Sequence, residues 1–279
     1  MRESELEDAE GIHKEVKNLL KKLKPQSAVP LPAQLPYPVD IRRRNYPSEG
    51  VRRHGGLEVF DAPNAVAINQ ARMANLEAMG LPISGKRVLD VGSGVGHLAD
   101  GLVRMGASVV CVDGREANIA ALRERYPHLE GHVGNVETEP LGRFGRFQIV
   151  FSYGLLYHLE NPLQSLRNME SVCEEMLLLE TIICDHKLAL VRMEDESTDV
   201  NQALGGIAGR PTPHYVVLAL NRIGFPHVYA PVVAPEHEDF RFEWRNNLDC
   251  SRDGHNLRCI FVASRTELKN PTLVSLLRD

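Results

Sequence analysis

The chain has 279 residues, 43% of them hydrophobic and 25% charged, with a formal net charge of −5, enough to bury a substantial core in one large domain with an appendage. No run of about 18 apolar residues exists, so no segment has the make-up of a membrane-spanning helix, and the overall acidity argues against a dedicated nucleic-acid binder. The polar start, Met1-Arg2-Glu3-Ser4-Glu5, has no secretory pattern. Five widely spaced cysteines without a C-x-x-C pair support neither a zinc knuckle nor a disulfide framework, which points to a reducing, cytoplasmic setting.

Charge is uneven along the chain. Residues 1–56 carry 11 Lys/Arg and 8 Asp/Glu, leaving 21 and 29 in the remainder. Within this basic region, residues 3–24 read as an amphipathic helix, with Leu6, Ile12, Val16, Leu19, Leu20 and Leu23 at near-helical spacing. It suits packing on its own domain or on a dimer mate, or a membrane surface or partner. Pro25 to Pro38 reads as a stiff, extended linker. The predicted division is residues 1–45, helix and proline-rich linker, and residues 46–279, the main domain. Arg42–Arg44 and Arg52–Arg53 flank it, either as a clamp for phosphate or carboxylate or as a solvated basic face. Residues 61–80 read as a helix with Asp61 as N-cap, Pro63 in the first turn and Gly80 as its stop.

From Lys86 short apolar runs alternate with helical segments. Strands are predicted at 87–91, 108–113, 131–135, 147–152 and 176–181, and helices at 95–105, 116–126 and 162–170. This is a βαβ series, hence an α/β fold with a doubly wound, mostly parallel sheet and right-handed crossovers. Residues 182–213 form a long excursion. A helix at 214–223 and strands at 227–232 and 257–264 close the sheet.

The turn after the first strand reads Asp90-Val91-Gly92-Ser93-Gly94-Val95-Gly96. Glycines there let the backbone approach a ligand and aim helix N–H groups at negative charge. Nicotinamide and adenosylmethionine proteins both use such a turn. Asp90 separates them: a carboxylate repels a pyrophosphate but attracts the ammonium of a methionine moiety. So does the spacing, because His97 stands where the dinucleotide fingerprint places its last glycine. Asp113 ends the second strand, where a carboxylate can accept from both ribose hydroxyls. Asn135 ends the third, where an amide can meet an adenine edge or simply form a turn.

Val88-Leu-Asp-Val-Gly-Ser-Gly-Val-Gly96, Asp113, Asn135 and Phe147-Gln-Ile-Val-Phe-Ser-Tyr-Gly-Leu-Leu-Tyr-His-Leu-Glu-Asn-Pro162 resemble the class I S-adenosylmethionine-dependent methyltransferases, over about residues 60–266. Glu180-Thr181, Gly209-Arg-Pro-Thr212, Phe225-Pro-His-Val-Tyr229 and Phe261-Val-Ala-Ser-Arg265 are similar to a bacterial subgroup of unsettled substrate whose members often occur beside sugar-transferring enzymes. The resemblance implies a seven-stranded Rossmann-like sheet with one antiparallel strand near its edge, and S-adenosyl-L-methionine as cofactor with S-adenosyl-L-homocysteine as product. It implies that Asp90, Gly92, Gly94 and Gly96 hold the methionine end, Asp113 the ribose, and Asn135 with Val136 the adenine. Ser93, His97, Gly114, Arg115, Ser152 and Tyr153 complete the expected cofactor set. Many relatives carry Asp where this chain has Asn135, so the adenine amino group would meet an amide oxygen.

In an open parallel sheet the ligand crevice lies at the carboxyl ends of the strands, which puts Tyr157 and His158 beside it. His158 is the first candidate for the base that takes an acceptor's proton, or else part of a helix-start motif. Glu180, at the tip of the fifth strand, is the second, as base, orienting group or metal ligand. Tyr157, His214 and Trp244 are expected to cover the crevice and stack on a sugar or ring. Asp185-His186 and Glu236-His237-Glu238-Asp239 contain ligand types for magnesium, but a solvated loop is the favoured reading and no metal is expected. The predicted activity is O-methylation of a sugar or other small hydroxylated metabolite. The rivals are tRNA modification, since Phe147 to Pro162 is also similar to wobble-uridine modifying enzymes; nicotinamide oxidoreduction; and a non-catalytic cofactor-binding module.

Overall fold

The computed structural model describes residues 56–277. The expected N-terminal helix, the proline-rich linker and both arginine runs lie outside the described residues, as does the homodimer contact expected of them.

Helices α1 (Pro63–Ala78), α2 (His97–Arg104), α3 (Glu116–Arg125), α4 (Pro162–Val172) and α5 (Pro213–Ile223) flank one sheet. Its strands are β1 (Arg87–Val91), β2 (Ser108–Asp113), β3 (Glu130–Val133), β4 (Phe147–Tyr153), β5 (Cys173–Ile182), β8 (His227–Pro231), β11 (Arg258–Ser264) and β12 (Leu273–Ser275), in the order β12-β8-β11-β5-β4-β1-β2-β3. The five strands from β5 to β3 run parallel. β11 runs antiparallel to both β5 and β8, and β12 antiparallel to β8.

Alternation along the strands builds the core on both faces. Val109 and Cys111 of β2 join α1, α2 and α3 on one side, while Val110 and Val112 meet α4 and α5 on the other. Side chains of a strand point alternately to the two faces, so a run buried on both sides is apolar throughout. Phe147, Phe151, Phe225 and Phe261 are fully buried, each contributing about 1.5–3 kcal/mol by leaving water.

The expected excursion contains an antiparallel hairpin, β6 (Val191–Asp195) with β7 (Ile207–Pro211). A smaller hairpin pairs β9 (Ser251–Arg252) with β10 (His255–Asn256). Its turn residues, Asp253 and Gly254, both have positive φ, the Asp-Gly signature of a tight hairpin. Two expectations are corrected. The sheet has eight strands rather than seven, because three residues after Asn270-Pro271 add an edge. Asp61 does not cap α1: Ala62 precedes the helix, and the Asp61 carboxylate pairs with His97 Nε2 and Arg125 at 2.9 Å each.

Candidate active site

The glycine turn emerges from β1 and leads into α2. Gly92 and Gly94 have φ of 80° and 54°, a region that side chains strain to occupy. A Cβ on Gly92 would meet Leu155 at 2.8 Å. Both glycines border two adjoining crevices at the carboxyl ends of the strands. Gly96 borders neither. A Cβ there would press on Leu122 and Tyr126, so it serves the packing of the turn on α3.

The first crevice is bordered by Asp113, Gly114, Arg115, Asn118, Asn135 and Val136 on one side and by Val200, Asn201, Gln202 and Leu204 on the other. Asp113 Oδ2 accepts from the Gly94 N–H at 2.9 Å, and Oδ1 from the Arg115 N–H and Asn118 Nδ2. The carboxylate thus pins the glycine turn to the end of β2 while each oxygen keeps accepting capacity. Burial raises its pKa, and those hydrogen bonds pull the other way. Asn135 Oδ1 already accepts from the Glu137 N–H at 2.9 Å, so it is a turn former that also borders the crevice. Asp90 lies beneath the turn and borders neither crevice. Burial, then the charge of Asp113, pushes its carboxyl up to about 8.

The loop joining β6 to β7 roofs this crevice. Arg115 donates to the carbonyls of Gln202 and Ala203, and Asn118 Nδ2 to that of Val200. The Ala203 N–H in turn donates to Glu196 Oε2 at 2.8 Å.

The second crevice, about 1340 Å³, is bordered by Phe60, Ser93, His97, Tyr153, Tyr157 and His158, and by a set of ion pairs. His158 Nδ1 meets Glu196 Oε2 at 2.5 Å, and Glu196 Oε1 takes Arg210 at 2.6 Å. Arg210 also donates to the Tyr157 carbonyl at 2.5 Å. Its guanidinium and that of Arg258 lie 5.0 and 5.1 Å from the Tyr157 ring, a cation–π arrangement. Desolvation holds the His158 pKa below its ordinary value, against the attraction of Glu196. Burial alone would raise Glu196, but His158 and Arg210 outweigh it and hold the carboxyl low.

Glu180 is placed differently from expectation. It is fully buried behind the second crevice, with Oε2 on Arg72 at 2.5 Å and Oε1 on Arg258 at 3.0 Å. Both carboxylate oxygens are taken by guanidiniums and the side chain borders neither crevice, so Glu180 anchors the crevice wall instead. Arg258 Nε continues the chain to Asp239 at 2.9 Å. Three further expectations fail on placement. Ser152 is buried and bonds the Val91 carbonyl between β4 and β1. His214 is exposed at the start of α5, and Trp244 is 57% exposed and packs on Phe242; neither borders a crevice. Asp185 accepts from the Arg245 and Asn246 N–H groups and pairs with Arg252, and among the described residues no three His, Cys, Asp or Glu side chains converge as metal ligands.

Sequence reasoning missed Arg72, Asn118, Glu196 and Arg258, weighed Asp239 only as a magnesium ligand and quoted Arg210 only as part of a motif. One signal was present: Arg72 stands midway between Ile68 and Leu76, on the buried stripe of α1. An arginine in an apolar stripe needs a buried partner.

The donor set fits an adenosyl amino acid. Val112, Val136, Leu155, Leu159 and Leu204 supply apolar walls for a base, Asp113 suits a ribose diol, and Ser93 Oγ, Asn118 Oδ1 and Tyr153 OH are buried without a partner among the described residues.

Comparison with known proteins agrees. A family model described as a methyltransferase domain matches residues 89–175. The ubiquinone biosynthesis O-methyltransferase of Albidiferax ferrireducens is 35% identical over 91 residues, 31% of this chain and 36% of that protein. The tRNA U34 carboxymethyltransferase of Azotobacter vinelandii is 31% identical over 164 residues, 55% of this chain and 50% of that protein. The chain thus spans between about a third and a half of the length of these curated relatives. The N-terminal domain of EvdMO1, crystallised in the presence of SAH and D-fucose, matches with a TM-score of 0.54 at 21% identity, over 73% of this chain and 84% of that one; the likeness is one of fold. Residues 89–175, which carry the glycine turn and the strand-end carboxylate, thus match a methyltransferase domain.

Proposed function

We propose that the chain methylates a hydroxyl oxygen of a small acceptor, a sugar or another polyhydroxylated metabolite, with His158 as the base. The position of His158 carries this reading. It borders both crevices, is 12% exposed at its side chain, and gives its Nδ1 to Glu196. Held below its ordinary pKa, the ring is neutral at pH 7. A low-pKa carboxylate on Nδ1 selects the tautomer whose Nε2 accepts a proton, and among the described residues no protein hydrogen bond engages that nitrogen.

Gly92, Gly94, Asp113, Asn118, Asn135 and Val136 would hold S-adenosylmethionine, which supplies, when bound, a methyl carbon on a cationic sulfur that leaves as a neutral thioether. As the new O–C bond forms, the acceptor's O–H proton passes to His158 Nε2. The imidazolium so made sits against Glu196, which stabilises it. Phe60 and Tyr157 help keep water from this junction.

The acceptor class follows from the second crevice. Its arginines are ion-paired, and Asn64, Asn69, Asn201, Gln202 and Asn256 line it with amides. Paired charges and neutral amides match a ligand with many hydroxyls better than a free anion. EvdMO1's domain, studied with D-fucose, is compatible with that class. His158→Ala tests the reading. Adenosylhomocysteine binding by calorimetry stays within a few-fold of the parent, and turnover on a responsive sugar or phenol falls at least about 100-fold; near-normal turnover removes His158 from the mechanism. A second reading, transfer to tRNA, rests on the match to the tRNA U34 carboxymethyltransferase. It predicts tRNA binding that weakens steeply with salt.

A further inference from the structure

Cys184 follows β5 and is fully buried; Cys250 precedes β9 and is partly exposed. Their sulfurs lie 2.7 Å apart. Non-bonded heavy atoms rest at about 3.5–4 Å, and a disulfide measures about 2.05 Å, so a small movement of two side chains closes the bond. The backbone sets this approach. The Asp185 N–H donates to the Asp249 carbonyl at 2.8 Å, the Leu248 N–H to that of Asp185 at 2.9 Å, the Ile183 N–H to that of Leu257 at 2.8 Å, and the Leu257 N–H to that of Cys250 at 2.9 Å. The two segments are laced together on both sides of the sulfurs, although 66 positions separate the cysteines.

We infer that Cys184 and Cys250 form a reversible thiol–disulfide site whose reaction partner is a low-molecular-weight disulfide of the glutathione class. Arg192 places a guanidinium 3.7 Å from Cys250 Sγ, which favours a thiolate on the pair. The hydrogen bond between the sulfurs draws Cys184 down and pushes Cys250 up, as for two groups that share one proton. The other cysteines have no such setting: burial pushes Cys173 and Cys259 up to about 12 and Cys111 higher still.

The exchange balances without another reagent. The shared proton passes to Cys184 as the accessible Cys250 sulfur attacks one sulfur of the disulfide; the displaced small thiolate takes that proton, and a mixed disulfide is left on Cys250. Cys184 then attacks the Cys250 sulfur, and the second small thiol leaves. Two protein thiols have lost two electrons and two protons, and one small disulfide has become two thiols. The bond encloses the β6–β7 hairpin, α5 and β8, so it ties down the chain that carries Glu196, Arg210 and Asp239 into the second crevice. This site stands apart from the methyl-transfer reading.

The full chain is incubated with oxidised glutathione, quenched with a thiol-blocking reagent and mapped by mass spectrometry. One peptide pair joining Cys184 to Cys250 is expected, with the other three cysteines blocked as free thiols. Melting temperature rises by about 9–17 °C, as a loop of this length predicts, and dithiothreitol reverses it. Cys184→Ser stops the reaction at a glutathione adduct on Cys250, and Cys250→Ser leaves Cys184 unmodified. Five free thiols after treatment, or a cross-link between any other pair, would overturn the site.

Discussion

The two crevices are built by different means. The floor of the first is made by backbone and short-range contacts within one run of chain: the glycine turn at 92–96, Asp113 on the Gly94 N–H, and Asn118 in the first turn of α3. The second is made by side chains reaching across the fold. Arg72 meets Glu180 across 108 positions, Arg258 meets Glu180 across 78, and Arg258 reaches Tyr157 across 101. A site held by backbone is written in a local motif, whereas one held by ion pairs exists only once the sheet has formed.

Breaking the ion pairs gives the largest effect. Glu180→Leu strips buried Arg72 of its only carboxylate among the described residues and leaves Arg258 with Asp239 alone, and costs about 3–5 kcal/mol, read as a fall in the chemical denaturation midpoint. Adenosylhomocysteine affinity of the folded fraction changes little. An unchanged midpoint would mean the second crevice is held by something other than these pairs. Next comes Asp113→Ala, which removes three hydrogen bonds and frees the glycine turn. Calorimetry shows adenosylhomocysteine affinity reduced by about 100-fold, with stability lowered far less than by Glu180→Leu.

These two crevices account for what was legible in the chain. Ser108–Asp113 is read from end to end because four consecutive apolar residues end on an acid, and both the buried strand and its functional tip are local. Glu180 is legible as a position but not as a role, since nothing near it in sequence announces Arg72 or Arg258. Glu196 stands in a polar stretch with no periodicity, and its meaning comes from His158, 38 positions away. The β9–β10 turn was open to reading from Asp253-Gly254. β12 was not, because only Leu273 of its three residues is buried.

A third change sharpens the assignment of the base. Burial favours the neutral His158 ring, so the acid limb of kcat/KM lies below 6.5. Glu196→Gln removes the opposing attraction and moves the limb further to acid, while kcat falls about 10–100-fold as the tautomer is lost. A limb unmoved by that change would assign it to another group. The smallest effect falls on Asp90. Its pKa near 8 lies above the unfolded 3.8, so from pH 4 to 8 the unfolded chain has released a proton that the folded chain keeps. Folded stability falls across that window. Asp90→Asn abolishes the loss and gains about 1–3 kcal/mol at pH 7, a gain that closes below pH 4. Because Asp90 borders neither crevice, the same variant keeps adenosylhomocysteine affinity within a few-fold; a loss of about 10-fold or more, by calorimetry, would place the carboxyl on the ligand instead.

The roof over the first crevice has a kinetic consequence. Three hydrogen bonds from Arg115 and Asn118 hold residues 200–203 down, and Glu196, at the root of the same loop, is tied to that roof through the Ala203 N–H. Lifting the roof to exchange a ligand therefore pulls on the carboxylate that sets the His158 tautomer. Unlatching and disarming become one event. On the mechanism proposed above, the histidine would reach full basicity only while the crevice beside it is shut, and the opening of this loop would set a ceiling on turnover.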